Sequence, residues 1–443
     1  MPAWSLPPSL VDLLACFRGC FTAPTFRTFS WLVAGFLAQP GARTVCGMLA
    51  GARLAGRWHH SRAHRFFAAA RWSPDQLGLR LLGLICVGLV DGDHALRLVV
   101  DDTLYRRAGR KVWAATWHHD PLGVGGKGRK PVAWANCWVV VGVLVDLPFV
   151  PQRAVCLPVL ARLWRPRQPG RSKLDLACEL VGLICARDPD RRIHLVCDAA
   201  YAGKALAGLP AQVTVTTRLR CDAALYQLAP PPTRRRGRPR VKGSRLPELE
   251  TLAGMVATPF ALLAVTRYGR LGIAAVAQFT CLWPSVFGAR PVHVVLVRDP
   301  DAPDGFDLAL VSTDLAAAAA ELVGRYVDRW PVEVLFEESR QVAGVGQARN
   351  RTRRAVERTV PFGLLCVSLT MVWYALHGQP TADVATRRAL APWYQAKHAV
   401  SFADMLVALR RAILAAQYLP GSLLEPTPPE ILEVQRAWAA AAA

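Results

Sequence analysis

Two short apolar runs in this chain end on carboxylates: Leu98-Val99-Val100-Asp101-Asp102 and Ile193-His194-Leu195-Val196-Cys197-Asp198. Bounded runs of this kind read as strands, and carboxylates at strand ends of an open α/β sheet sit where such folds carry their chemistry. A third acid lies in Tyr326-Val327-Asp328-Arg329-Trp330-Pro331-Val332-Glu333. Residues three and four apart share a helix face, so a helix here lines up Tyr326, Arg329 and Glu333, with Arg340 about two turns further on. The preceding residues support that helix. Leu308-Ala309-Leu310-Val311-Ser312 reads as a buried strand, Thr313 or Asp314 as an N-cap, and the alanine-rich run from Leu315 as the helix itself. Pro331 strains the reading, because proline inside a helix kinks it.

Each piece alone has a plainer meaning. A lone Glu and Arg make a solvated ion pair, and an aspartate after a strand is an ordinary turn or capping residue. The three acids together carry the argument. Oxygen ligands converging from separate elements suit magnesium or manganese, and two such ions stabilise both the attacking and the leaving oxygen of a phosphoryl displacement. The charge balance agrees: 54 Lys and Arg against 32 Asp and Glu give a net charge of +22, which favours a polyanionic partner. No polybasic anchor stands beside an apolar segment, so nucleic acid is the expected partner and a membrane is not.

At this point the residues carry a family likeness. The chain resembles the DDE transposases of bacterial insertion sequences, in the branch with a Y-x-x-R-x-x-x-E-x-x-x-x-x-x-K signature. Tyr326, Arg329 and Glu333 match it, and Arg340 stands in the lysine position, a swap that is not neutral where one compact ammonium meets a phosphate. Further similarity lies in the Asp101-Asp102-Thr103 run, Asp198-Ala199-Ala200-Tyr201, Thr217-Arg218-Leu219-Arg220 and Gln347-Ala348-Arg349-Asn350-Arg351. The resemblance implies an α/β, ribonuclease-H-like core that cuts and rejoins double-stranded DNA at the terminal inverted repeats of an element and inserts it into target DNA. It further implies Mg2+ or Mn2+ held by Asp101 or Asp102, Asp198 and Glu333, with Tyr326, Arg329 and Arg340 on the DNA. A homodimer assembled on DNA is expected. Successive strand residues face opposite ways, so one of Asp101 and Asp102 points into the site; which one stays open. Two other readings compete: a domesticated DNA-binding protein that keeps the fold without transposition, and a host nuclease on the same scaffold.

Texture divides the chain into a helical, DNA-binding region over 1–95, a first core segment over 96–212, a β-rich insertion over 213–305, a second core segment over 306–378 and a helical C-terminal region over 379–443. Within the first, the stretches from Arg43 and from Ser61 could form a helix-turn-helix. The insertion carries a basic loop with Arg236, Arg238 and Arg240, preceded by Pro230, Pro231 and Pro232. It resembles an AT-hook, though a flexible loop touching phosphates without reading sequence is the preferred reading. His118-His119-Asp120 lacks a second ligand pair for a metal cluster, and the glycine-rich run 123–130 lacks the ending of a P-loop. The 12 cysteines form no C-x-x-C pair and fit a reducing cytoplasm. Leu79–Val90 and Pro361–Leu376 are short of a membrane span and read as buried helices. The first residues lack the pattern of a signal peptide.

Overall fold

The computed structural model describes residues 6–418 apart from positions 91, 93, 121–122, 124–130, 152, 167–170, 232–239, 256, 268 and 303. Helices α1 (Pro8–Ala15), α2 (Ala23–Ala38), α3 (Val45–Gly51), α4 (Ser61–Ala68) and α5 (Pro74–Leu89) come first. Strands β1 (Leu96–Arg106), β2 (Thr116–His119), β3 (Val132–Val145) and β4 (Val155–Trp164) follow, then α6 (Lys173–Arg187), β5 (Ile193–Cys197) and β6 (Val213–Arg218). After α7 (Leu249–Gly254) come β7 (Ala261–Arg267), β8 (Arg270–Leu282), α8 (Pro284–Phe287), β9 (Pro291–Arg298) and β10 (Leu308–Ser312). The chain continues through α9 (Ala319–Val327), α10 (Pro331–Gln341), α11 (Arg353–His377), α12 (Pro380–Leu390) and α13 (Phe402–Tyr418).

Among the described residues the strands form one ten-stranded sheet. β3 pairs antiparallel with both β4 and β1, β1 pairs parallel with β5, and β5 pairs parallel with β6. An antiparallel trio followed by two parallel strands fits the ribonuclease-H-like core that the family resemblance implies. β3 is buried along nearly its whole length, as a strand covered on both faces must be. The helices start where local chemistry allows. Ser172 and Asp175 make a reciprocal capping box at α6, and Ser73 caps α5 ahead of Pro74 at its first turn, both satisfying amides that a helix start leaves free.

The expected boundary at residue 213 does not match the sheet. Val213–Arg218 is β6, in register beside β5, and belongs to the core; its alternating Val and Thr residues resemble the strand-rich stretch that follows. The β-rich insertion then extends the same sheet, because β10 pairs with β6 on one edge and β9 on the other. The long helix expected through Glu333 is also broken. α9 starts after Ala318, and Thr313 and Asp314 do not cap it: the Thr313 hydroxyl accepts the Val215 amide, and Asp314 pairs with Arg325 at 2.8 Å. The chain then breaks at 328–330, and Pro331 begins α10, where a proline lacks no needed hydrogen bond.

In the N-terminal region α3 and α4 are separated by residues 52–60, longer than the three- or four-residue turn of a helix-turn-helix. Arg358 of α11 donates to the carbonyls of Phe67, Ala70 and Trp72, tying the end of α4 to the core. α2 and α3 touch backbone to backbone: a Cβ on Gly35 would lie 1.8 Å from the Met48 carbonyl oxygen. α11 is long and apolar enough to cross a membrane by composition, but 83% of its apolar window is buried inside the fold, against α5, α13 and β4.

Candidate active site

The parallel register of β1 and β5 sets two acids side by side. Val100 pairs with Cys197, so the next residues, Asp101 and Asp198, follow on neighbouring strands whose spacing is about 4.8 Å. Residues in register across a parallel pair face the same side of the sheet. Asp198 follows the last residue of β5 and accepts the Ala199 amide at 2.6 Å, capping the short turn Ala199–Tyr201. Burial pushes the Asp101 carboxyl up to about 6, with Asp102 and Asp198 adding to the rise and the Asp102 amide and Arg329 opposing it.

Arg329 joins this pair to the third acid. One guanidinium nitrogen lies 2.9 Å from Asp101 and the other 2.7 Å from Glu333. Burial alone would lower the Arg329 pKa, but Asp101 and Glu333 outweigh it and the net shift is upward. Despite the break between α9 and α10, Asp328 and Trp330 keep right-handed helical backbone angles, which leaves Arg329 and Glu333 one helical step of four apart. The Tyr326 ring lies 6.0 Å from the Arg329 guanidinium. The structure thus brings Asp101, Glu333, Arg329 and Tyr326 together, with Asp198 beside Asp101.

Asp102 points elsewhere. Its carboxylate accepts Lys173 Nζ at 2.6 Å, the Tyr201 hydroxyl at 3.0 Å and the Cys137 thiol at 3.4 Å, all on the α6 side of β1. The alternation along the strand therefore separates the two neighbouring aspartates, as strand geometry requires. Lys173 and Tyr201 were not picked out as partners in the sequence. The legible signal for Lys173 was its place at a capped helix start, Ser172-Lys173-Leu174-Asp175, just after a basic loop.

Asp101, Asp102, Lys173, Trp164, Glu333 and Arg340 are among the residues that line an open cleft of about 1370 Å³. Arg340 reaches the Thr103 hydroxyl. Beyond α10, Gly346 has a φ of +91°, and a Cβ there would lie 2.6 Å from the Tyr105 ring. That turn lets Arg107 bond the carbonyls of Gly346 and Ala348 and the Gln347 side chain accept the Arg43 amide at 2.7 Å. Asp120 pairs with Arg106, and among the described residues His118, His119 and Asp120 form no group able to hold a metal. Arg236, Arg238 and the run 124–130 lie outside the described residues; Arg240 is described and exposed.

Among the described residues, no three His, Cys, Asp or Glu side chains stand ready for a metal ion. The donor set nonetheless fits a hard divalent cation, being all carboxylate oxygen, and a positive group already sits between Asp101 and Glu333 in the form of Arg329. An ion held between these two carboxylates would compete with Arg329 for their oxygens.

A family model described as DDE superfamily endonuclease matches residues 16–269, more than half of the chain; the match contains Asp101 and Asp198 and ends before Glu333. Among solved structures the chain is similar to a piggyBac transposase synaptic complex with hairpin DNA, at 11% identity and a TM-score of 0.42, covering 98% of this chain and 80% of that one. No curated protein matches it.

Proposed function

We infer that this chain, which belongs to the DDE superfamily endonuclease family, is a DNA transposase that cleaves and rejoins DNA at the ends of an insertion sequence. The observation that carries the reading is the meeting of Asp101 and Glu333 on Arg329, with Asp198 next after Cys197, the register partner of Val100. Asp101, Asp198 and Glu333 are the residues that would hold Mg2+ or Mn2+, and Asp102 is not among them. Bound there, such an ion supplies Lewis-acid stabilisation of the oxygens entering and leaving a phosphodiester.

The chain's own residues do the rest. Arg329, released from a carboxylate, is placed to take a phosphate oxygen, for which a forked guanidinium is suited. Arg340, which lines the cleft with Glu333, offers a second positive contact, and Tyr326 lies beside Arg329. The Tyr326, Arg329, Glu333 and Arg340 spacing supports the Y-R-E-K branch, with arginine in place of lysine. The partners of this reading are the terminal inverted repeats and target DNA, met by two copies of the chain in the cytoplasm.

Cleavage of a duplex carrying the element's end, followed in Mg2+, Mn2+ and EDTA, tests it. Asp101→Asn, Asp198→Asn and Glu333→Gln should each lose more than the roughly 100-fold that removal of an outer-shell partner costs, with DNA binding retained. Cleavage that persists in EDTA, or in Asp198→Asn, would overturn the reading.

A further inference from the structure

Lys173, at the first turn of α6, lines the same cleft as Glu333 and Arg340 of α10. Its ammonium is gripped by Asp102 at 2.6 Å and lies 5.0 Å from the face of the Trp164 ring. Two features set this apart from a closed structural ion pair. The Lys173 side chain keeps 35% of its surface exposed, and an ammonium has three donors, of which Asp102 takes one and the Cys137 sulfur a second, leaving one. Asp102, for its part, also accepts from Tyr201 and Cys137, so its negative charge is shared among three donors. A positive group with a spare donor therefore remains facing the cleft, on the other side of β1 from Asp101.

We propose that Lys173 binds a backbone phosphate of the DNA in this cleft and that Asp102 is its positioning residue. The proposal rests on the DNA-cleaving reading of the cleft. Trp164 and Asp102 restrict a side chain that is otherwise among the most flexible, so the ammonium meets the strand with less of its motion left to lose. The site takes a phosphodiester and not a base edge, because a lysine offers a compact point charge without the planar fork that reads bases in pairs.

The test is binding of a short fluorescent duplex of mixed sequence to the full chain in EDTA across a salt series, where no cleavage intervenes. Lys173→Gln should weaken binding about tenfold and reduce the slope of log K against log salt by about 0.9, the loss of one phosphate contact. Lys173→Arg, which keeps the charge, should restore the slope. Asp102→Asn should weaken binding in the same way although it removes a negative charge from the cleft, and the double variant Asp102→Asn with Lys173→Gln should add nothing further. An unchanged slope in Lys173→Gln would overturn the proposal, as would tighter binding by Asp102→Asn, the result expected if Asp102 merely repels DNA or serves as a metal ligand. The two readings fail separately. Loss of metal-dependent cleavage in the wild-type chain would sink the transposase and leave a reduced Lys173 slope standing; intact cleavage with an unchanged slope would sink Lys173 alone.

Discussion

Arg329 does two jobs that oppose each other. Its guanidinium neutralises Asp101 and Glu333, which would otherwise repel each other in a half-buried site, and on the proposed reading it competes for the oxygens that would hold the cation. Removing one partner from a buried pair leaves charge uncompensated; here Glu333 is more than a third exposed, so solvent screens part of the cost. Arg329→Gln should therefore destabilise the metal-free protein by about 1–3 kcal/mol. The same substitution should enlarge the rise in melting temperature on adding Mg2+, because the ion no longer competes with the guanidinium. Melting curves with and without Mg2+ check both, and a smaller metal-induced rise than in the wild type would refute the competition. The spacing of Arg329 and Glu333 was legible in the sequence, because an i, i+4 pair is a local property. The reach of Arg329 to Asp101 was not, since it depends on how α10 lies against β1. Strand alternation showed that Asp101 and Asp102 must part; only packing showed that Lys173 waits on the Asp102 side.

The helix that carries Glu333 has two working faces. One turns Glu333 and Arg340 to the cleft, while the other places Leu335 and Glu338 against a cavity of about 260 Å³ lined by Arg153, Asp328, Ser401, Phe402 and Met405. Burial pushes the Glu338 carboxyl up to about 7, with Glu337 adding to the rise and Arg153 and the Phe402 amide opposing it. A carboxyl raised in the folded state binds its proton more tightly than in the unfolded chain. Its contribution to stability is thus full below pH 4.5 and is lost as pH climbs to about 7. Glu338→Gln should stabilise the protein at pH 8 by at most about 2–3 kcal/mol and do little at pH 4. Denaturant melts at the two pH values measure this; equal effects at both would mean that Glu338 is not held neutral by its surroundings. The break before α10 was only half visible in the sequence. Pro331 announced a disturbance, but a proline can kink a helix or begin one, and the choice is made by the turn at 328–330.

At the scale of the whole molecule, the sheet joins what sequence texture divides. The apolar runs before Asp101 and Asp198 could be read as strands, but β1 does not end at its aspartates: it runs on to Arg106 with Asp101 and Asp102 in mid-strand, while Asp198 follows the end of β5. The ribonuclease-H-like core came from the family resemblance and not from the apolar runs. The transfer of β6 from insertion to core could not be read, because pairing partners are set by register and not by composition. β10 is the hinge of this continuity: Leu310 is fully buried, pairing with Arg218 of β6 and Val295 of β9. Its side chain packs in the cluster formed by Val265, Val276, Val297 and Leu322, beneath α9. α9 leads directly into Arg329 and α10, so a defect at Leu310 bears on the site as well as on the insertion. Leu310→Ala should cost about 2–5 kcal/mol, the usual range for such a truncation in a core. If β7–β10 and the core strands melt as one cooperative unit, calorimetry of this variant should show a single transition shifted downward, with loss of the sheet and of tryptophan packing at the same temperature. A variant in which an early, separate transition splits off while the β1–β5–β6 core melts at the wild-type temperature would show that the strands beyond β6 fold as an independent unit, joined to the core by hydrogen bonds but not by stability.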